Sequence, residues 1–155
     1  MNLIDILKKN NKIILSLNEE YFVKMQKKEK KYEYRKRFLN QKSYAFIYIS
    51  KTKKEIAGIV EFGVPKCDSS ENIAKFASQI GDSTYDNIIS YLGENKKGYA
   101  IPINKVYLFD SPIKISTLRK IDKNFYAPQS YSYLKEKSNL YNYLKNSTIQ
   151  LIEIL

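Results

Sequence analysis

The sequence contains no histidine and a single cysteine, Cys67. One cysteine cannot form a disulfide within the chain, and an ordinary Cys/His zinc site is excluded as well. Without histidine the Ser-His and Cys-His nucleophile pairs and the commonest general base are missing, so any catalysis would use Lys, Glu, Asp, Tyr or backbone groups. We therefore expect no metal and no cofactor, and we expect Cys67 to be a free thiol in a loop.

Long apolar runs are also missing. The longest extends from Tyr44 to Ile49, far short of the ~20 residues that cross a bilayer. The first residues lack the basic leader and the small-residue cleavage site of a secretory signal. These features predict a cytoplasmic protein with no membrane partner, and a length of 155 residues is typical of one domain.

The net charge of the chain is +11, which favours association with polyanions. Abundant Lys, Ile, Asn and Tyr are also typical of an AT-rich genome, so the distribution of charge matters more than its sum. Between Lys24 and Arg37 eight basic residues stand against two acidic ones. From Asp68 to Glu94 five acidic residues stand against Lys75 alone. Genomic bias towards Lys does not explain this segregation.

A second basic stretch extends from Lys114 to Lys145, with seven basic residues against two acidic ones. The two basic regions could meet on one face and form a binding surface. Two separate solvated faces are the alternative, because that is how most charged segments are arranged.

Apolar periodicity and turn residues predict an order of strands and helices. Asn18 would cap a helix whose residues Tyr21, Phe22 and Met25 pack on one side. The segment 31–37 alternates, with Tyr32 and Tyr34 on one face and the charged residues on the other. The predicted elements are a strand at 13–17, that helix, a strand at 31–37, a hairpin of 43–51 and 56–62, a helical pair within 70–94, strands at 98–103 and 106–109, and a final helix within 138–155.

The segment Lys28-Glu29-Lys30-Lys31-Tyr32-Glu33-Tyr34-Arg35 joins the first of these helices to the next strand. It resembles the G-x-K-x-x-E-x-R signature of the ASCH family, with Lys28 in place of the glycine. The later segments Gly98 to Ile101 and Pro128 to Tyr131 are similar to further family segments. The resemblance covers about residues 12 to 134.

The resemblance implies an α+β fold, a PUA-like mixed β-barrel with peripheral helices and a helical insertion. It implies one domain over residues 1–155, with its core at about 12–134 and a C-terminal helical extension at 138–155. It also implies a basic cleft that binds RNA, another nucleic acid or a nucleotide.

Lys30 and Arg35 are suited to holding a phosphate or a base edge, and Glu33 could accept from an amino group or orient the arginine. Tyrosines near Pro128 supply stacking surfaces, whereas Tyr32, Tyr34, Tyr44 and Tyr48 fit core packing better. An exposed ion-pair cluster of little energetic weight is the alternative for the charged set. The candidate ligand-binding residues are Lys28, Lys30, Glu33, Arg35, Arg37, Glu61, Gln129 and Tyr131.

Two other functions remain open. The chain is also similar to bacterial ASCH amidohydrolases that act on acetylated cytidine through a Lys, a Thr and a Glu. Lys30 matches the Lys, Glu33 stands at the Thr position, and only Asp82 is a carboxylate near the place of the Glu. In that function Lys30 and Glu33 would be the catalytic pair. Alternatively, the apolar segment from Ile149 to Leu155 would mediate homo-oligomerisation or another protein contact.

Overall fold

The computed structural model describes all 155 residues. Six helices and eight strands alternate along the chain, in the order α1 (Leu3–Leu7), β1 (Lys12–Leu17), α2 (Glu19–Gln26), β2 (Tyr32–Arg35), β3 (Ser43–Ile49), β4 (Glu55–Phe62), β5 (Lys66–Ser69), α3 (Ser70–Gln79), α4 (Tyr85–Leu92), β6 (Lys97–Lys114), α5 (Ile115–Ile121), β7 (Tyr131–Tyr133), α6 (Asn139–Asn146) and β8 (Leu151–Ile154).

The strands form one mixed sheet that curls into a half-barrel. Its order is β2-β6-β4-β3-β1-β7, and β5 and β8 also pair with β6. Only the β1 and β3 pair is parallel, while β3 and β4 form the antiparallel hairpin that the sequence predicts. The predicted α+β mixed fold with peripheral helices is confirmed.

The long strand β6 differs from the prediction, which divided it in two around Pro102. The Pro102 carbonyl accepts from the Gly63 amide at 2.9 Å, so the Pro102 nitrogen faces the same neighbouring chain. That chain is between strands there, since β4 ends at Phe62 and β5 begins at Lys66. No ladder bond is required at that point, and proline does not interrupt the strand.

The concave face of the sheet holds the inner core. It is made of side chains from β1, β3, β4 and β6, and Phe22 and Met25 of α2 together with Phe38 and Leu39 fill the remaining space. A second cluster packs α1, α5 and α6 on the convex face. A third packs α3 and α4 against Tyr34 and Ala100. Tyr34, Tyr44 and Tyr48 are buried in these clusters, as core packing predicts.

The C-terminal segment corrects one prediction, because it is helical only from Asn139 to Asn146. Leu151 to Ile154 form strand β8, which pairs with residues 106–109 of β6. The apolar pattern there fits a helix or a strand equally well, and the open edge of β6 decides in favour of the strand. This segment therefore docks on the chain's own sheet.

The turn from α2 into β2 is a Schellman motif. The Lys28 amide donates to the Met25 carbonyl at 3.2 Å and the Glu29 amide to the Lys24 carbonyl at 3.0 Å. Lys28 has φ +62°, the left-handed conformation in which glycine is usual. The glycine that the ASCH signature has at this position would adopt this conformation without strain.

We expect Lys28→Gly to raise the free energy of unfolding by about 1 kcal/mol, because it removes the left-handed strain of a side-chain-bearing residue. Urea denaturation measures the change. The matched control is Lys27→Gly, where φ is −82° and glycine should destabilise the helix end. A loss of stability in Lys28→Gly would contradict this account of the turn.

Candidate functional site: a charged triad at the open side of the half-barrel

Lys30, Glu33 and Arg35 form one cluster, which we call the charged triad. One Glu33 oxygen, Oε2, accepts from Arg35 Nε at 3.0 Å and lies 2.8 Å from Arg35 Nη2. The other, Oε1, lies 3.4 Å from Lys30 Nζ. Glu33 therefore holds a cation on each of its two oxygens.

The triad is mostly buried, because of the alternation of β2. Glu33 and Arg35 point to the concave side, where Glu33 stands opposite Ile101 of the inner core. Glu33 is 6% exposed, and the side chains of Lys30 and Arg35 are 16% and 14% exposed. The alternative of an exposed ion-pair cluster is thus wrong for these three residues.

Arg35 also bridges the first strand of the sheet order, β2, to the last but one, β1. Its Nη2 donates to the Ser16 carbonyl of β1 at 3.2 Å, although β2 and β1 are not paired with each other. Near this bridge the Phe38 and Tyr131 rings lie with centroids 5.2 Å apart. Arg35 Nη1 has no protein acceptor, so two of the five guanidinium hydrogens remain available to a ligand.

Lys30 lies between two tyrosine rings. Its Nζ is 5.0 Å from the centroid of Tyr34 and 5.8 Å from that of Tyr21, within the range of cation–π attraction. The packed position predicted for Tyr21 is wrong, because this residue is 40% exposed. The side of α2 that carries Phe22 and Met25 faces the core, and Tyr21 lies at its margin beside Lys30.

Tyr91 of α4 is a further neighbour of the triad. Partial burial raises the pKa of the Tyr91 phenol, while the nearby charges of Arg35 and Glu33 lower and raise it respectively. Lys36 Nζ lies 5.5 Å from the centre of its ring. Sequence reasoning missed Tyr91 because it stands in the acidic insertion, far along the chain from the motif.

Asp82 connects the acidic insertion to β2, the strand that carries Glu33 and Arg35. Its carboxylate accepts from the Lys31 amide at 2.8 Å, from the Tyr32 amide at 3.3 Å and from the Tyr34 hydroxyl at 2.8 Å. Burial and this carboxylate raise the pKa of Tyr34 well above its usual range, so Tyr34 stays a donor. Asp82 is thus already engaged in three hydrogen bonds.

The other predicted site residues are dispersed. Lys28 and Arg37 are exposed on either side of the triad. Glu61 lies between two inner-core residues, Val60 and Phe62, and faces the convex side, where it pairs with Lys42 at 3.6 Å. Glu61 is therefore separate from the triad.

Gln129 lies just before β7 and Tyr131 lies in it, and β7 pairs with β1. Gln129 is exposed, whereas the Tyr131 ring packs on Phe38 and Tyr133. Tyr131 pairs with Leu15, the residue before Ser16, so it borders the place where Arg35 reaches β1.

No group of three or more His, Cys, Asp or Glu side chains is placed to hold a metal ion. None of the helices combines the length and the apolar character that crossing a bilayer requires. Cys67 is a free, exposed thiol, on strand β5 rather than in the predicted loop.

Solved structures with a similar fold were found. An ASCH protein from Zymomonas mobilis superposes with a TM-score of 0.72 at 18% identity, over 86% of this chain and 96% of that one. A substituted form of that protein gives 0.72 at 18% identity over 90% and 100%. The N-terminal domain of Staphylothermus marinus McrB gives 0.51 at 12% identity over 84% and 91%.

No protein-family sequence model matches the chain, and no curated protein sequence does either. The structural likenesses show the fold. The chain has an α+β fold with a curled half-barrel sheet and six surrounding helices, similar to the PUA-like fold. Its structural likeness is to the ASCH fold, which confirms the fold implied by the signature at Lys28 to Arg35.

We expect Glu33→Ala to lower the free energy of unfolding by about 3 kcal/mol, because two mostly buried cations lose their counter-charge. Glu33→Gln should cost less, since its amide oxygen can still accept from Arg35. Urea denaturation of both variants beside Glu29→Ala, an exposed neighbour, measures this. Equal stability of Glu33→Ala and Glu29→Ala would contradict a structural role of the triad.

We expect Asp82→Ala to cost about 2 kcal/mol, because partly buried donors lose their acceptor. Hydrogen exchange of the Lys31 and Tyr32 amides should also accelerate relative to the wild-type chain. The control is Glu94→Ala, an exposed acidic residue of the same insertion. Unchanged exchange at both amides would show that Asp82 does not hold the insertion in place.

Proposed function

We propose that the chain binds nucleic acid or a nucleotide at the charged triad. The observation that carries this proposal is the pair of cationic side chains with unused donors at the open side of the half-barrel. Arg35 keeps both Nη1 hydrogens, and Lys30 Nζ has no hydrogen-bond partner closer than the Glu33 oxygen at 3.4 Å. Such donors suit a phosphate oxygen or the acceptor edge of a base.

Charge around the triad supports an anionic ligand. The triad lies within the segment 24–37, whose local balance is +6, and Lys28, Lys31, Lys36 and Arg37 in that segment are exposed. A basic rim raises the local concentration of a polyanion and speeds its association. The acidic insertion carries the opposite charge, so it would direct the phosphates of a polyanion towards the basic residues around the triad.

Glu33 gives the site a second capability. As the counter-ion of both cations it holds the Arg35 guanidinium in a fixed orientation, which lowers the entropy lost on binding. Both Glu33 oxygens already have cationic partners, so the donors of Lys30 and Arg35 would make the direct contacts to a ligand.

The geometry supports hydrolysis less well. A nucleophilic lysine requires apolar surroundings or a neighbouring cation, whereas Lys30 has a carboxylate and two ring faces beside it. Asp82, the carboxylate nearest the place of the hydrolase Glu, already accepts three hydrogen bonds. We therefore propose binding without turnover.

We expect the wild-type chain to bind a fluorescein-labelled ten-nucleotide single strand with an affinity that falls steeply as salt increases. Lys30→Ala should weaken binding about tenfold, the effect of losing one charge-assisted contact. It should also reduce the salt slope by about 0.7, the value for one phosphate contact on a single strand. Fluorescence anisotropy over a salt series, with RNA and DNA of one sequence, measures both.

The charge-matched control is Lys145→Ala, at the last turn of α6 and away from the triad. Each variant removes one positive charge, so an equal loss of affinity in both would show that binding follows net charge and not the triad. Retention of full affinity by Lys30→Ala, in a variant whose circular dichroism is unchanged, would refute the site.

A further inference from the structure

Two exposed tyrosines flank the triad from different helices. Tyr21 of α2 is 40% exposed and Tyr91 of α4 is 45% exposed. Neither tyrosine is among the buried residues of its helix. Both helices pack on the core through other side chains, α2 through Phe22 and Met25 and α4 through Ile88 and Leu92. Each ring is thus carried on a fixed support and is partly exposed to solvent, with lysine ammonium groups beside it: Lys24 and Lys30 beside Tyr21, and Lys36 beside Tyr91.

Both rings belong to the same local environment as the triad. Lys30 Nζ is 5.8 Å from the Tyr21 ring centre, and Lys36 Nζ is 5.5 Å from that of Tyr91. The charges of Arg35 and Glu33 also act on the Tyr91 phenol. Neither tyrosine packs on another aromatic ring, whereas Tyr32 and Tyr131 do.

An exposed aromatic ring beside a cationic donor can bind a nucleotide whose base is not already stacked on other bases. The base lies on the ring and the phosphate on the cation, and the ring accepts any base because every base has a π-face. In a duplex both base faces are already occupied by neighbouring pairs. The ring pair is therefore suited to single-stranded ligands and gains nothing from a duplex.

We propose that Tyr21 and Tyr91 form a base-stacking pair at the rim of the charged triad, and that the ligand class is single-stranded nucleic acid or a free nucleotide with an accessible base. This inference rests on the proposed function, since it places the base of the ligand whose phosphate the triad would hold. It adds two residues and a selectivity that the triad alone does not provide.

The absence of tryptophan from the chain allows a direct test. Tyr91→Trp introduces a single indole at the proposed position. Titration with a ten-nucleotide single strand should quench its fluorescence, whereas a strand of equal length and charge built from abasic nucleotides should quench little. Tyr85→Trp is the control, because Tyr85 is an exposed tyrosine of the same helix with no cation beside its ring.

Affinity provides a second measurement. Tyr91→Leu and Tyr21→Leu should each weaken binding of the normal strand about tenfold, and the Phe variants should bind as the wild type does. The salt slope should stay unchanged, since no phosphate contact is lost. A duplex of the same sequence should bind equally to the wild type and both Leu variants.

The outcomes separate this inference from the proposed function. If Lys30→Ala weakens binding but neither Leu variant does, or if Tyr91→Trp is quenched equally by normal and abasic strands, the stacking pair is refuted and the triad stands. If the wild-type chain binds neither strand, both proposals fail. Equal quenching of Tyr91→Trp and Tyr85→Trp would show that the strand has no defined place on the surface.

Discussion

The hydrogen bond from Arg35 to the Ser16 carbonyl, held in place by Glu33, joins two strands of the sheet that share no backbone ladder. β2 is the first strand of the order and β1 the last but one, and β7 beyond it pairs only with Ile13 to Leu15, so a side chain spans the distance that backbone bonds do not. A guanidinium can do this because it is always charged and directs several donors in a fixed plane. Burial of that charge in turn requires the Glu33 carboxylate.

The charged triad has a structural role and, in our proposal, a ligand-binding role as well. The charges contribute little net stability as a group, because desolvation offsets their attraction, yet removal of any one partner leaves another unpaired. A ligand that supplies phosphate oxygens to Lys30 and Arg35 would add acceptors where donors are still unused. The contacts that hold the sheet together and the proposed ligand contacts would therefore use different hydrogens of the same guanidinium.

The helical insertion is tied into the same corner. Asp82 accepts hydrogen bonds from the Lys31 and Tyr32 amides and from the Tyr34 hydroxyl. The ring of Tyr34 in turn lies against the Lys30 ammonium group. The insertion thus helps to position the strand that carries Glu33 and Arg35, and its second helix, α4, places Tyr91 beside the triad. An acidic segment set beside a basic one limits the side from which an anion can approach.

The sequence by itself determined the order of the elements from β1 to β4, the helical pair that follows, the helix-to-strand corner and the identity of the three charged residues. These depend on local features: Asn18 at the N-cap position of α2, although its side chain makes no capping hydrogen bond, the alternation of 32–35 and the apolar runs of β1, β3 and β4. Only the tertiary structure decided that the charged face of β2 points inward, that β8 is a strand, and that Glu61 lies on the opposite face. The placement of Tyr91 and the bonds of Asp82 were likewise decided there. Each of these depends on which chain segment lies opposite, and periodicity within a strand or helix carries no information about its partner.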